Sequence, residues 1–237
     1  TYSILIKKDN FFSTKFESFN KILINNGFKI QNVEINGLNH LNKEDILEII
    51  RSYNHINIFS VNLKKVYKEI KRNTWVKQGS IKIIYPNTIK IWLTEKKPIA
   101  IWQKKSGDYY LVTKIGEIIL EKNLSNFKNK LPIIIGKNAN KNVYSILKLL
   151  NSNKKLAKNI WSLTYINERR WDLHFKQGVT IRLPSKNVEK AWLKILYLNR
   201  TFDILNLDLT EVDLRNPKQI LGKINIDKKL IFKKKNS

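Results

Sequence analysis

The stretch Ile81-Lys-Ile-Ile-Tyr85-Pro-Asn-Thr-Ile-Lys-Ile91-Trp-Leu93 decides the architecture of the first part of the chain. Ile81, Ile83 and Tyr85 alternate before Pro86-Asn87, and Ile89, Ile91 and Leu93 alternate after it. A period of two broken by a Pro-Asn step predicts two strands of a hairpin. Upstream the period changes. Leu63, Val66, Tyr67 and Ile70 stand at i, i+3, i+4 and i+7 behind Ser60, and Ile46, Ile49 and Ile50 form an apolar stripe behind Asn42 and Asp45. Both patterns predict short helices, with Ser60 and Asn42 as caps. Further upstream Ile30, Val33 and Ile35, closed by Asn36-Gly37, read as a strand and turn. The order β-α-α-β-β predicts a small domain with both helices on one face of a three-stranded sheet, because helices this short need a sheet to lean on. Before it, Phe12, Phe16, Phe19 and Leu23 fall at helical steps that Gly27 ends, as in an amphipathic helix leading out of a membrane anchor.

Downstream of the charged step Glu95-Lys96-Lys97 and Pro98 the pattern is mostly of strands. Ile99 to Trp102, Tyr109 to Val112 and Glu117 to Leu120 read as strands; Ile133 to Ile135 follows Leu131-Pro132, and a helix covers Val143 to Leu150. Trp161 to Ile166, Trp171 to Phe175 and Val179 to Leu183 read as a meander, then Val188 to Asn199 as a helix carrying Trp192, Ile195 and Leu196, then Leu207 to Leu214 as a strand. The predicted fold class is α+β, a β-α-α-β-β domain followed by a β-rich domain with a mainly antiparallel sheet and flanking helices. The predicted boundaries are a linker and helix over 1–26, a first domain over 27–95, a β domain over 96–223 and a basic tail over 224–237, where Phe232 to Lys235 read as a frayed end. Trp75 is predicted to anchor the first core and Trp102 and Trp171 to help fill the second.

The 237 residues carry no Cys, which excludes disulfides, thiolate chemistry and Cys-ligated metal. The three His, at 40, 55 and 174, have no metal-ligand spacing. Gly136-Lys137 and Gly222-Lys223 lack the upstream glycine and following Ser or Thr of a phosphate loop. Nothing converges as an acid-base pair, so the expectation is no enzyme, no cofactor and no metal. The formal charge is +26, divided as +8 over residues 1–94 and +18 over 95–237. Lys outnumbers Arg 38 to 7, with 35 Ile and 29 Asn beside them, a composition that reads as a drift toward Lys, Ile and Asn more than as a phosphate-reading surface built on Arg forks; with Lys spread along both parts, anionic headgroups or acidic partners are expected ahead of nucleic acid. Arg170 and Arg215 sit in strand-like runs and are expected to pair with a nearby carboxylate or cover an aromatic ring.

The order of these motifs resembles the FtsQ/DivIB family of bacterial cell-division proteins. The block from Gly27 to Gly37 resembles that family's entry into its POTRA domain, and Asn73-Thr-Trp-Val-Lys77 its Pro-Trp-Val-Lys step, with Thr74 in place of Pro. Tyr85 to Ile91 and Glu95-Lys-Lys-Pro-Ile-Ala-Ile-Trp102 match its hairpin and interdomain crossing. Arg169-Arg-Trp-Asp-Leu173, Leu183-Pro184 and Val212-Asp-Leu-Arg215 match its β domain. The resemblance implies a non-catalytic periplasmic scaffold on a single inner-membrane span at the division septum. It links early and late division proteins by binding small coiled-coil membrane proteins of the FtsB (DivIC) and FtsL types, with the inner-membrane surface nearby and no selected nucleic-acid binding. The rivals are a POTRA-containing outer-membrane assembly factor, which would carry a barrel or repeated POTRA units, and a nucleic-acid binder.

The resemblance also places the FtsB contact on the Val-Asp-Leu-Arg strand and the residues after it. The expected partner-binding residues are Leu209, Thr210, Glu211, Val212, Asp213, Leu214, Arg215 and Asn216, with Ile220, Leu221 and Lys223. Leu209 to Asn216 is expected to be a sheet edge that receives a partner strand, with Leu214, Ile220 and Leu221 as apolar anchors.

Overall fold

Residues 17–25 form helix α1 in the computed structural model, which describes residues 17–224. Phe12 and Phe16 of the expected helical stripe, and Phe232 to Lys235 of the expected tail, lie outside the described residues. Asn20 on α1 accepts through Oδ1 from the backbone N–H of Asn57 at 2.9 Å and from its side-chain amide at 2.7 Å, so a buried Asn holds the helix. The chain divides into two compact units at Lys96/Lys97.

The first unit contains β1 (Asn32–Asn36), α2 (Lys43–Arg51), α3 (Leu63–Ile70), β2 (Val76–Ile84) and β3 (Thr88–Glu95). The sheet order is β1-β3-β2, with β1 parallel and β2 antiparallel to the central β3. The decisive hairpin pairs Ile81 with Ile91 and Ile83 with Ile89. Ile89 and Ile91 are fully buried, as are Ile46 of α2 and Val66 and Ile70 of α3, so the two stripes read from the sequence meet the sheet. Trp75 is 4% exposed, within this core. Asn42 caps α2 by accepting from Glu44 N–H at 3.1 Å. Ser60 is not the cap of α3; it ends a separate 3₁₀ turn, Ile58–Ser60, nucleated by Asn57, and Asn62 caps the helix instead by accepting from Lys65 N–H. Glu95, the first residue of the charged step, is buried. Its carboxylate accepts from the backbone N–H groups of Asn39, His40 and Leu41 at 2.7 to 3.0 Å and locks the loop after β1. Gly37 begins that loop at φ 86°, where a Cβ would fall 1.9 Å from the Leu93 carbonyl oxygen, so only glycine fits.

The second unit runs β4 (Pro98–Gln103), β5 (Tyr109–Thr113), β6 (Ile118–Ile119), α4 (Ser125–Lys128), β7 (Ile133–Ile135), α5 (Ala139–Leu150), α6 (Lys154–Ala157), β8 (Ile160–Ile166), β9 (Arg170–Phe175), β10 (Thr180–Arg182), α7 (Val188–Phe202), β11 (Leu209–Asp213) and β12 (Leu221–Ile224). One nine-stranded sheet holds them in the order β12-β11-β10-β9-β8-β7-β4-β5-β6. Five of the eight strand pairs are antiparallel; β4, β7 and β8 run parallel, and so do β10 and β11. The parallel pairs follow from long connections, β5, β6 and α4 between β4 and β7, α5 and α6 between β7 and β8, and α7 between β10 and β11.

Cross-strand rows explain the core. Leu163, Leu173, Ile181 and Val212 lie opposite one another on consecutive strands and are all buried, together with Val143 and Ile146 of α5 and Trp192 and Ile195 of α7. Trp171 is buried and stacks on Tyr165 at 4.6 Å between centroids; Trp102 is half-buried and donates its indole N–H to the Gly136 carbonyl at 3.0 Å. Strand β12 is an element that the sequence reading did not anticipate.

Candidate partner-binding site

The expected edge strand is not an edge. β11 pairs with β10 on one side and with β12 on the other, in the register Glu211 to Lys223, Val212 to Gly222 and Asp213 to Leu221. Val212 and Leu214 are 3% exposed and belong to the core, so Leu214 is not available as an apolar anchor. Thr210 is half-buried and donates its hydroxyl to the Lys223 carbonyl at 3.2 Å. Among the described residues the edge is β12, whose four residues are all exposed. Ile220, Leu221 and Ile224 stand out at 42, 59 and 50% exposure, an apolar edge with no proline in the strand and a single lysine, Lys223, to discourage pairing. The expected residues therefore separate into an interior group, Leu209 to Leu214, and an exposed group, Arg215, Asn216, Ile220, Leu221 and Lys223.

The row next to the core row is charged. Asp172 of β9, Arg182 of β10 and Asp213 of β11 lie directly opposite one another, and the register carries the row on to Leu221 of β12. Arg182 also reaches Glu211 at 2.7 Å. Asp213 accepts from the Arg215 backbone N–H at 2.9 Å and from its guanidinium at 2.6 to 2.9 Å. Those side-chain bonds hold the Asp213 carboxyl below its ordinary value, against burial that pushes it up. Arg170 and Asp172 are an ion pair at 3.4 Å, and Arg170 Nε and Asp172 Oδ1 are buried outside hydrogen-bonding geometry. Both Arg170 and Arg215 thus meet the carboxylate two residues away in the chain.

Arg170 and Arg215 open onto one cleft of about 690 Å³, at the end of the sheet where β10 and β11 finish and β9 begins. Arg169, Lys186, Lys190 and Lys194 complete its basic lining, and no Asp or Glu is part of that lining. The sequence reading missed the three lysines. Their signal was their spacing of four, which sets Lys190 and Lys194 on one side of α7. The connection from β11 to β12 passes through this cleft at Arg215 and Pro217, so the cleft and the exposed edge are continuous along the chain. Chemically, the arrangement offers a strand, β12, with no further strand beyond it among the described residues and, beside it, planar cations able to receive carboxylates.

His174 lies between two threonine hydroxyls. Its Nε2 lies 2.9 Å from Thr164 Oγ1 and its Nδ1 3.1 Å from Thr180 Oγ1, and burial lowers its pKa from the ordinary 6.5 while Asp172 opposes the shift. Among the described residues no group of three His, Asp or Glu could hold a metal ion.

A family model described as cell division protein FtsQ/DivIB, C-terminal, matches residues 100–215, and one described as POTRA domain, FtsQ-type, matches residues 28–96. The chain is similar to the cell division protein FtsQ of Rickettsia bellii (strain RML369-C), with 33% identity over 190 residues, covering 80% of this chain and 70% of that protein. It is also similar to the FtsQ of Bradyrhizobium diazoefficiens, with 29% identity over 201 residues, covering 85% of this chain and 58% of that one. A solved structure of the major extracytoplasmic domain of the trans isomer of the cell division protein DivIB from Geobacillus stearothermophilus matches with a TM-score of 0.33 and 10% identity, over 47% of this chain and 97% of that one, too distant to carry an argument.

Proposed function

The chain belongs to the FtsQ/DivIB family of cell-division proteins, and we propose that within it this chain takes a β-strand and carboxylates from a small coiled-coil membrane protein of the FtsB or DivIC type. A scaffolding role in cell division and an FtsQ-like periplasmic domain come with the family. The particular partner, a companion contact with an FtsL-type protein and an inner-membrane anchor belong to the proposal; no helix among the described residues is long and apolar enough to cross a membrane. The observation that supports the reading is the exposed apolar edge β12 emerging directly from a cleft of six cations.

Strand addition supplies main-chain bonds that accept almost any sequence, so specificity falls to the side chains. Ile220 and Leu221 offer apolar surface, while Arg215 offers a guanidinium to a partner carboxylate at the cost of loosening its bond to Asp213. Lys223 adds a cation on the strand itself. Leu209 to Leu214 then act as the strand on which the docking strand is built.

Successive backbone N–H groups along a strand point to opposite sides, so one of Gly222 and Lys223 directs its N–H away from β11. We expect one of the two single variants Gly222→Pro and Lys223→Pro to keep the fold and to weaken binding of an FtsB-type periplasmic peptide about tenfold or more. Binding at wild-type strength by both variants, with their circular dichroism intact, overturns strand addition on β12.

A further inference from the structure

At the other end of the nine-stranded sheet, where β4, β7 and β8 begin side by side in parallel, lies a groove of about 1120 Å³. Ile99, Leu131, Leu147, Ile160 and Trp161 give it apolar walls, and Trp161 is half exposed. Lys128, Lys130, Lys148, Lys154, Lys158 and Lys176 surround these walls, all of them exposed. They come from four separate places in the chain: the end of α4, the end of α5, α6 and the turn after β9. No Asp or Glu lines the groove, and none of the six lysines is in an ion pair among the described residues. Lys90 meets Glu34 at 2.7 Å and Lys137 meets Glu168 at 2.6 Å elsewhere on the surface, whereas the six lysines here converge on one concavity with apolar walls. Tyr144, also in the lining, has its phenol held below the ordinary 10.0 first by a hydrogen bond from Lys114, which lies outside the lining, and further by the charges of Lys114 and Lys148, against burial that raises it.

Charge and shape together select the occupant. Six like charges around one concavity attract an anion and repel one another until it arrives. A flat anionic bilayer would meet the lysines and leave the walls of a concave groove uncovered. A nucleic acid would favour arginine forks and stacking platforms, yet no arginine lines the groove and Tyr144 and Trp161 are its only aromatic residues. The volume exceeds the roughly 300–1000 Å³ of an ordinary small-molecule site. A peptide with an apolar stripe flanked by Glu or Asp satisfies both the walls and the cations.

We propose that this groove binds an acidic amphipathic segment of a partner protein, its apolar side chains against Ile99, Leu147 and Trp161 and its carboxylates on the lysines. The site is separate from β12 and stands or falls independently of the strand-addition reading.

The probe is a fluorescein-labelled peptide of roughly 18 residues with Leu at i, i+3 and i+4 spacing and Glu elsewhere, titrated with the 237-residue chain by anisotropy. A scrambled peptide of identical composition, a Lys-for-Glu peptide, phosphatidylglycerol vesicles and a single-stranded oligonucleotide are the comparisons. The amphipathic acidic peptide should bind at least tenfold more tightly than its scrambled and Lys counterparts. Lys148→Glu combined with Lys158→Glu should weaken it at least tenfold and Trp161→Ala several-fold, while the same charge change on the exposed face of α3, Lys64→Glu with Lys65→Glu, leaves it unchanged. Where the reversals unfold the unit, Lys148→Gln with Lys158→Gln takes their place and should give a several-fold loss. Equal binding of the scrambled peptide, or insensitivity of folded variants to the lysine changes, overturns the proposal. So does vesicle or oligonucleotide binding that depends on these lysines while peptide binding does not.

Discussion

The two ends of the nine-stranded sheet both carry six cations, and they hold them differently. In the cleft beside β12, Arg215 is forked onto Asp213 and Arg170 lies beside Asp172, so two of its three arginines stand against an acid two residues away in the chain. In the groove below β4, β7 and β8 every cation is a lysine, and none of the six is in an ion pair among the described residues. A guanidinium fixed by one carboxylate presents its remaining donors in a defined plane, which suits recognition by geometry. Flexible ammonium groups around apolar walls attract acidic surface from a distance and leave shape to the walls. Net charge alone would have ranked the two ends as equal; the placement of Asp172 and Asp213 separates them.

The largest effect expected is from Trp192, 1% exposed on α7, whose indole N–H donates to Ser152 just beyond α5 at 3.0 Å. It ties the helix that lines the arginine cleft to the segment that lines the lysine groove. Trp192→Ala should cost about 3–5 kcal/mol, read as a fall in the urea midpoint, and should weaken binding at both ends. Loss at one end alone would break the shared frame that the comparison assumes.

Asp213→Asn should cost about 1–2 kcal/mol, since hydrogen bonds to charged groups contribute about 1.5–3 and the half-exposed Arg215 discounts that. The sign of the pH dependence follows from the lowered pKa of Asp213. Its stabilising effect is present above the ordinary value of 3.8 and is lost as the pH falls through the lower folded value. Urea unfolding at neutral and strongly acid pH should therefore show less acid destabilisation in the Asn variant than in wild type. Equal acid sensitivity would mean that Arg215 is not held by this carboxylate.

Salt sharpens the contrast next. Raising the ionic strength from about 0.05 to 0.5 M shortens the screening length several-fold, and should weaken acidic-peptide binding in the lysine groove about tenfold while strand addition on β12 loses about threefold or less. Equal losses would show that both ends bind by diffuse charge. The smallest effect concerns His174, whose ring lies 6.2 Å from that of Trp161 in the lysine groove. Its pKa is lowered, so the folded state resists protonation, and wild-type stability should decline as the pH falls from 6.5 toward the lower folded value. His174→Gln should flatten that part of the stability curve; an unchanged slope would assign it to another group.

Much of this was legible in the residues. Alternation at Ile81 to Leu93 and stripes at Ile46 and Val66 specified the first unit, because one buried face per element writes its period into the sequence. The pairing of Arg170 and Arg215 with carboxylates was legible too, since each acid lies two residues away in the same extended stretch. The start of α3 was misread because Ser60 is a plausible cap, and only the 3₁₀ turn at Asn57 displaces the start to Asn62. The lysine groove left no local signal: its cations come from elements between Lys128 and Lys176 and meet only when β7 and β8 pair in parallel.

The sequence by itself determined the period of most elements and the two-unit pattern, because one buried face per element repeats along it, and its ordered motifs carried the family resemblance. Strand order was decided by the tertiary structure. Leu209 to Leu214 has the apolar pattern of a strand whether it is interior or at an edge, and the choice is made by a partner ten residues further on. That partner, Leu221 to Ile224, is exposed throughout and so carries no alternation to announce it. Periodicity records the burial of a face, whereas pairing along an edge uses backbone groups that every residue possesses, and nothing in the side chains reports where those groups find their partners.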